Sequence, residues 1–399
     1  MSDSTYPDLF DSCTPRDDVL DGTLQEDQFA ASLATVAHDP EESAPDYRNA
    51  TKFFEMTYPT EGLKTLLSNL TGRFLASGTE RETDYTSSIL CLDTRFGGGK
   101  THDLIASYHL AEHAGDIANL KDHLLPDDES SAGAYQEAVE EGLSVDSAVF
   151  VGGHVDARNA RSDRNDPNAP NTNTMWGEIA YQLYGAEGYE ELKEYDQNRN
   201  APGQNKLKDL FDIGDGPALV LIDEIAAYLE SASAVEVGSA TLASQTLSFV
   251  LSLLETASES DDVTIVYSIA DTAFEEEAED VRGLIDELNQ IGRRQHKTVT
   301  PTDESEVGQV LQHRLFEDID DEAAAEVSQS YFQLYSNSER QFPQEATDAS
   351  YVDRLERETG EMSWLIAHQN GKAIYVYGRG GDNDINVNTI LGTQDHMHY

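Results

Sequence analysis

The sequence predicts an α/β fold, a parallel sheet flanked by helices, preceded by an N-terminal helical segment and followed by a small helical subdomain. Three observations carry this. The stretch from Ser88 to Thr101 runs from an apolar, β-like segment through three consecutive glycines into a helical pattern that begins at His102. The stretch Pro217–Glu224 holds five apolar residues in a row, Ala218 to Ile222, closed by a pair of acids. Such a run reads as a strand buried on both faces of a parallel sheet. Further strand-like runs, Ser147–Gly153 and Val263–Ile269, alternate with helical patterns along the chain.

The first stretch carries specific chemistry. Gly97, Gly98 and Gly99 precede Lys100 and Thr101, between a strand and a helix, which is the context of a phosphate-binding P-loop. Small residues let successive backbone N–H groups converge on a phosphate, and the helix N-terminus adds the positive end of its dipole. In this pattern Lys100 reaches the β- and γ-phosphates of ATP, and the Thr101 hydroxyl holds Mg²⁺. One position departs from the G-x-x-x-x-G-K-[ST] spacing: Thr94 stands where the first glycine is usual. The three glycines that follow supply the missing freedom.

The second stretch completes the set. A carboxylate at the C-terminal end of a buried parallel strand sits where ligands bind in open α/β sheets. Asp223 is therefore expected to orient Mg²⁺, and Glu224 to polarise the water that attacks the phosphate.

Composition sets the surroundings. The 399 residues allow two or three domains and a full α/β core. A formal net charge of −50 is extreme, yet the 38% hydrophobic content argues against disorder. This acidity is the expected surface of a halophilic protein working in molar salt, where the Debye length is about 3 Å and self-repulsion is suppressed. Two cysteines, Cys13 and Cys91, exclude a disulfide framework and a cysteine-based zinc site. Without a signal peptide or a bilayer-spanning apolar run, the expectation is a cytoplasmic protein with no membrane partner.

In chain order, residues 1–50 are expected to form a helical segment and an acidic linker. Its helix is marked by a Thr23–Glu26 capping box, and the linker spans His38–Tyr47. The core is expected over 51–301, with Thr57–Leu63 leading into a helix to about Leu75, a solvated acidic segment at Asp127–Glu141, and a long polar loop at Arg158–Asn173. Thr174 caps a following helix. Strands end the core at Val263–Ile269 and near His296–Pro301. A helical, lid-like subdomain is expected over 302–358 and a divergent tail over 359–399.

This order of elements is that of an AAA+-like ATPase. In such enzymes a polar residue at the tip of the fourth strand sits between the acids and the γ-phosphate. Ser268 is the first candidate and Asp271 the second. Arg293 and Arg294 close the helix before the last strand, where these ATPases place an arginine finger aimed at a neighbouring subunit. Cations complementing a helix dipole are the plainer reading of the pair.

The resemblance is sharper still. Pro15-Arg16 with Val19, Thr57-Tyr58-Pro59-Thr60, Phe96 to His102, Thr174-Met175-Trp176-Gly177-Glu178-Ile179-Ala180-Tyr181-Gln182-Leu183 and Leu221 to Glu224 resemble a family of large prokaryotic AAA+-like P-loop ATPases. Members are often encoded beside adenine-specific DNA methylases. The likeness runs to about Arg357 and then stops, so it implies a truncated or recombined member. It implies ATP and Mg²⁺ as cofactors, a homo-oligomer, and a DNA methylase or other DNA-related proteins as partners. Direct nucleic-acid binding has little support: the basic clusters are Arg158/Arg161/Arg164 and Arg293–Lys297, and no DNA-reading motif is visible.

Two other patterns read as ordinary structure. His109-Leu110-Ala111-Glu112-His113 fits an H-x-x-E-H zinc motif but lies on the helix after the glycine turn, where core histidines are expected. His396 and His398 lie in the chain terminus. The expected activity is Mg²⁺-dependent ATP hydrolysis. The alternatives are an ATP-binding assembly switch with little turnover, favoured by Thr94, and a remnant that folds without output.

Overall fold

The computed structural model describes residues 13–20, 31–77, 86–94, 99–158, 169–270, 297–303, 305–320, 323, 366–369 and 372–375. The chain divides into two compact units. One comprises Ala31–Glu55 with Pro59–Thr302, and the other comprises Met1–Ala30, Met56–Tyr58 and Asp303–Tyr399.

The first unit is built on a five-stranded parallel sheet. Its strands are β1 (Ile89–Thr94), β2 (Asp146–Val151), β3 (Ala218–Asp223), β4 (Val263–Ala270) and β5 (Lys297–Val299), in the spatial order β2-β3-β4-β1-β5. Strand β4 therefore lies between the strand that feeds the glycine turn and the strand that ends in Asp223. Register is continuous: Leu92 of β1 lies beside Ser268 of β4, and Ile222 of β3 beside Tyr267.

Period-two alternation gives the sheet two apolar faces. Ile89, Cys91, Val220, Ile222, Ile265 and Tyr267 face one side; Leu90, Leu92, Leu219, Leu221 and Val266 face the other. Nine helices matter to the argument: α1 (Leu33–His38), α2 (Ala50–Met56), α3 (Glu61–Ala76), α4 (Lys100–His113), α5 (Glu129–Glu140), α6 (Met175–Asn198), α7 (Gln204–Phe211), α8 (Ile225–Ser233) and α9 (Leu242–Ser258). Residues of α6 to α9 bury the first face, and residues of α1 to α5 bury the second. Burial on both sides is why β3 reads as an uninterrupted apolar run. Truncating a fully buried residue such as Leu221 to Ala costs about 2–5 kcal/mol.

Several expectations change. The compact unit takes in residues from Ala31, before the expected start at 51, because Leu33, Ala34 and Val36 bury alongside Phe53, Leu63 and Leu66. The acidic segment 127–141 is largely solvent-facing, as expected, but it is not without structure. It contains α5, whose Ala132 and Tyr135 are buried one turn apart, with the Tyr135 hydroxyl donating to Leu110 O at 3.0 Å. The helix expected over Thr174–Leu183 forms behind its Thr174 cap, and α6 breaks just past it at Tyr184 and Gly185, where φ of Gly185 is +61°. The second half doubles back on the first. The capping box at Thr23 and the tips of the long loop (159–168) lie outside the described residues.

On edge strand β2 the outward polar groups of Val149 are covered by side chains. Val149 N–H donates to Gln182 Oε1 at 2.7 Å, and Val149 O accepts from His38 Nε2 at 3.3 Å. This blunts an edge that would otherwise pair with another chain.

In the second unit, a helix over Val307–Leu315 runs into a strand, Phe316–Ile319, antiparallel to Cys13–Pro15. Arg16 N–H donates to Leu315 O at 3.0 Å, and Arg16 Nε to His313 O at 3.1 Å. The subdomain expected to be helical over 302–358 thus contains a strand that pairs across most of the chain. Strands Ile366–Gln369 and Lys372–Tyr375 form a further antiparallel pair.

Candidate phosphate-binding site

The site grows from the carboxyl ends of β1, β3 and β4. Gly99 caps α4 with φ +88°, a left-handed backbone that glycine adopts without strain. A side chain there would also press on Thr302, since a Cβ would stand 3.3 Å from Thr302 Oγ1. The segment around Thr302 is itself fixed. Thr60 Oγ1, the cap of α3, donates to Pro301 O at 2.6 Å, and Gly62 leaves no room for a Cβ beside Thr300 O.

Lys100 and Thr101 occupy the first turn of α4, both half-buried. The Thr101 hydroxyl donates to Asp223 Oδ2 at 2.9 Å. Alternation puts Asp223 on the same side of the sheet as Leu219 and Leu221, which is the side α4 covers. Ser268 shares that side with Val266, and its hydroxyl donates to Asp223 Oδ1. Glu224 N–H donates to the same oxygen at 3.0 Å. Asp223 is 4% exposed, and its partners among the described residues are these three donors, with no cation. A buried carboxylate held by two hydroxyls and an amide, the Thr101 oxygen beside it, is the hard oxygen chemistry that suits Mg²⁺.

Glu224 is exposed and takes φ +52°, ψ +37°. It is one of two non-glycine residues with positive φ among the described residues, the other being Arg199. Beside Thr101, His102 is half-buried with its ring 4.5 Å from that of Phe53. Burial pushes its imidazole down to about 4, helped by His123 and His109, so it is neutral near pH 7.

The structure therefore brings Thr101, Asp223, Ser268 and Glu224 together, with Lys100 and Gly99 at the adjoining helix start. Thr94 ends β1, and Gly97, Gly98, Asp271, Arg293 and Arg294 lie outside the described residues, as do His396 and His398. Gly152 and Gly153, expected to continue the strand, instead turn out of it after Val151 and reach Glu224, a role the sequence reading missed. The only signal was a Gly-Gly pair closing an apolar strand.

The H-x-x-E-H pattern is used structurally. His109 is buried, its Nε2 faces Tyr47 O at 2.7 Å and must carry the proton, and Glu112 Oε1 accepts from Ser147 Oγ at 2.6 Å. No helix among the described residues is long and apolar enough to cross a membrane.

The family model described as the DUF499 N-terminal domain matches residues 9–298. The chain belongs to the DUF499 family. A comparison with curated proteins gave no match. Within this DUF499 domain, the Thr174–Leu183 motif has a packing role. Thr174 caps α6 and donates to Asp196 Oδ1 at 2.7 Å, while Gly177 is bare because a Cβ would stand 2.2 Å from that oxygen. Trp176 packs on Phe249, and Glu178 accepts from Thr172 and Gln182.

Proposed function

We propose that this DUF499 domain is an AAA+-like P-loop ATPase that binds ATP with Mg²⁺ and hydrolyses it. One observation carries the reading: Asp223 gathers Thr101, Ser268 and the Glu224 amide at the carboxyl edge of the sheet. The strand order supports it. With β4 between β1 and β3, a polar tip on β4 falls between the phosphate loop and the acids, and Ser268 is that tip.

In this reading Gly97, Gly98 and Gly99 wrap the phosphates, and Lys100 places its cation on the β- and γ-oxygens. Thr101 and Asp223 would hold Mg²⁺, which when bound neutralises charge building on the phosphoryl oxygens. Glu224 takes a proton from the attacking water, whose oxygen bonds to the γ-phosphorus as the bond to the β-phosphate oxygen breaks. Ser268 keeps Asp223 oriented. Arg293 or Arg294 serves as a finger completing a neighbour's site in a homo-oligomer. By resemblance, the assembly acts in a DNA-related complex, linked to a DNA methylase, in the cytoplasm.

A second reading, an ATP-binding switch with little turnover, rests on Thr94 in place of the first loop glycine. Nucleotide binding and steady-state hydrolysis measured together in molar KCl separate the two. Binding without turnover selects the switch, and absence of both rejects the site.

A further inference from the structure

We infer that Gly152 and Gly153 are positioning residues that set the carboxylate of Glu224. The inference rests on the ATPase reading of the site and assigns a further part of it.

Strands β2 and β3 pair in parallel with Val151 opposite Asp223, so the residues that follow, Gly152 and Glu224, emerge side by side. The contact is close. A Cβ on Gly152 would stand 2.1 Å from Glu224 O and 2.9 Å from its carbonyl carbon. One on Gly153 would stand 2.5 Å from Glu224 Oε2. Neither glycine has a positive φ, so conformational freedom does not explain them. Space does: their bare backbone is the surface against which Glu224 rests.

Glu224 needs such a surface. Its left-handed backbone is unfavourable for a side-chain-bearing residue and persists only where neighbours fix it. Asp223 Oδ1 holds its N–H at 3.0 Å, and its carbonyl accepts from Ala227 N–H at 3.1 Å. The Gly-Gly turn closes the remaining side and meets the carboxylate itself. The acid that faces water is thus placed by a strand tip that carries no functional side chain.

Gly153→Ala is the informative variant, because its added methyl meets the far end of a side chain, whereas that on Gly152 meets backbone. Gly115→Ala, where the methyl meets nothing within 4 Å, is the control. Gly153→Ala is expected to lower kcat for ATP by about 10- to 100-fold, the usual cost of displacing a reacting group by about 1 Å. Nucleotide affinity measured on the same preparation is expected to stay within about twofold, and Gly115→Ala to match wild type. In a Glu224→Gln background, Gly153→Ala is expected to cause no additional loss, because the carboxylate it moves is already gone. Wild-type turnover in Gly153→Ala, loss of nucleotide affinity, or an equal further loss in the Glu224→Gln background would each overturn the inference. Full activity of Glu224→Gln alone is a different result: it rejects the role of Glu224, and the inference falls with it.

Discussion

Thr101 and Asp223, separated by 122 positions in the chain, share a hydrogen bond of 2.9 Å from hydroxyl to carboxylate. It joins the first turn of α4 to the tip of β3 across the carboxyl edge of the sheet. The two residue types were legible in the sequence, and the bond between them depends on β3 and α4 meeting on one face.

Ser268 is the third member of that arrangement. Ser268→Ala removes one of three donors from a carboxylate that is 4% exposed. Hydrogen bonds to charged groups contribute about 1.5–3 kcal/mol, so a loss of stability of that order is expected in urea unfolding. Turnover is expected to fall while nucleotide binding persists, and Ser268→Thr is expected to restore both. Unchanged stability and rate in Ser268→Ala would remove Ser268 from the site.

Asp196 concerns the fold alone. It is fully buried and accepts from Asn173 N, Asn173 Nδ2, Thr174 Oγ1 and the Tyr189 hydroxyl, at 2.9, 3.0, 2.7 and 3.1 Å. Asp196→Ala strands these donors and is expected to destabilise by about 3–5 kcal/mol. Gly177→Ala collides with the same carboxylate and is expected to be costly too. The double variant is expected to lose less than the sum, since the obstacle is gone. Strict additivity would contradict the contact.

His109 gives the acid limb of stability. Burial lowers its imidazole from 6.5 to about 4, partly offset by the hydrogen bond to Tyr47 O and reinforced by His113. The unfolded chain takes up a proton at higher pH than the folded one. Stability from this group is therefore complete above pH 6.5 and lost as pH falls toward 4, by at most about 3 kcal/mol. The group titrates beside His102, His113 and Tyr108 of its own helix and Tyr47 and Phe53 of the neighbouring segment. His109→Phe is expected to flatten the decline between pH 6.5 and 4 relative to wild type, in urea titrations at constant molar KCl. An identical decline in both proteins would contradict this assignment.

How much the sequence discloses depends on the range of the interaction. The apolar run Ala218–Ile222 announces β3 because burial on two faces needs nothing else. Thr174 announces the start of α6, since a cap acts three residues away. Long-range features were hidden. Arg73 is buried and donates to Thr264 Oγ1, Ser260 O and Val263 O at 3.1, 3.0 and 2.9 Å, far along the chain, and no local pattern marks it. The pairing of Cys13–Pro15 with Phe316–Ile319 is equally invisible to periodicity. The acid-rich segment of α5 faces solvent as its composition suggests, but that composition hides the two inward positions, Ala132 and Tyr135. In the site, the sequence supplied Thr101, Asp223 and Ser268 by type, while the Gly152–Gly153 contact with Glu224 required the register of β2 on β3.

The most direct test of the account compares ATP binding and hydrolysis in wild type, Lys100→Ala and Glu224→Gln, in molar KCl with Mg²⁺. Removing the Lys100 cation leaves phosphate charge without its partner, so binding is expected to be abolished and turnover with it. An amide at position 224 cannot take the proton from water, so Glu224→Gln is expected to bind ATP as wild type does and to hydrolyse it only at a small residual rate. Equal loss of binding in both variants, or hydrolysis persisting at the wild-type rate in both, would contradict the account.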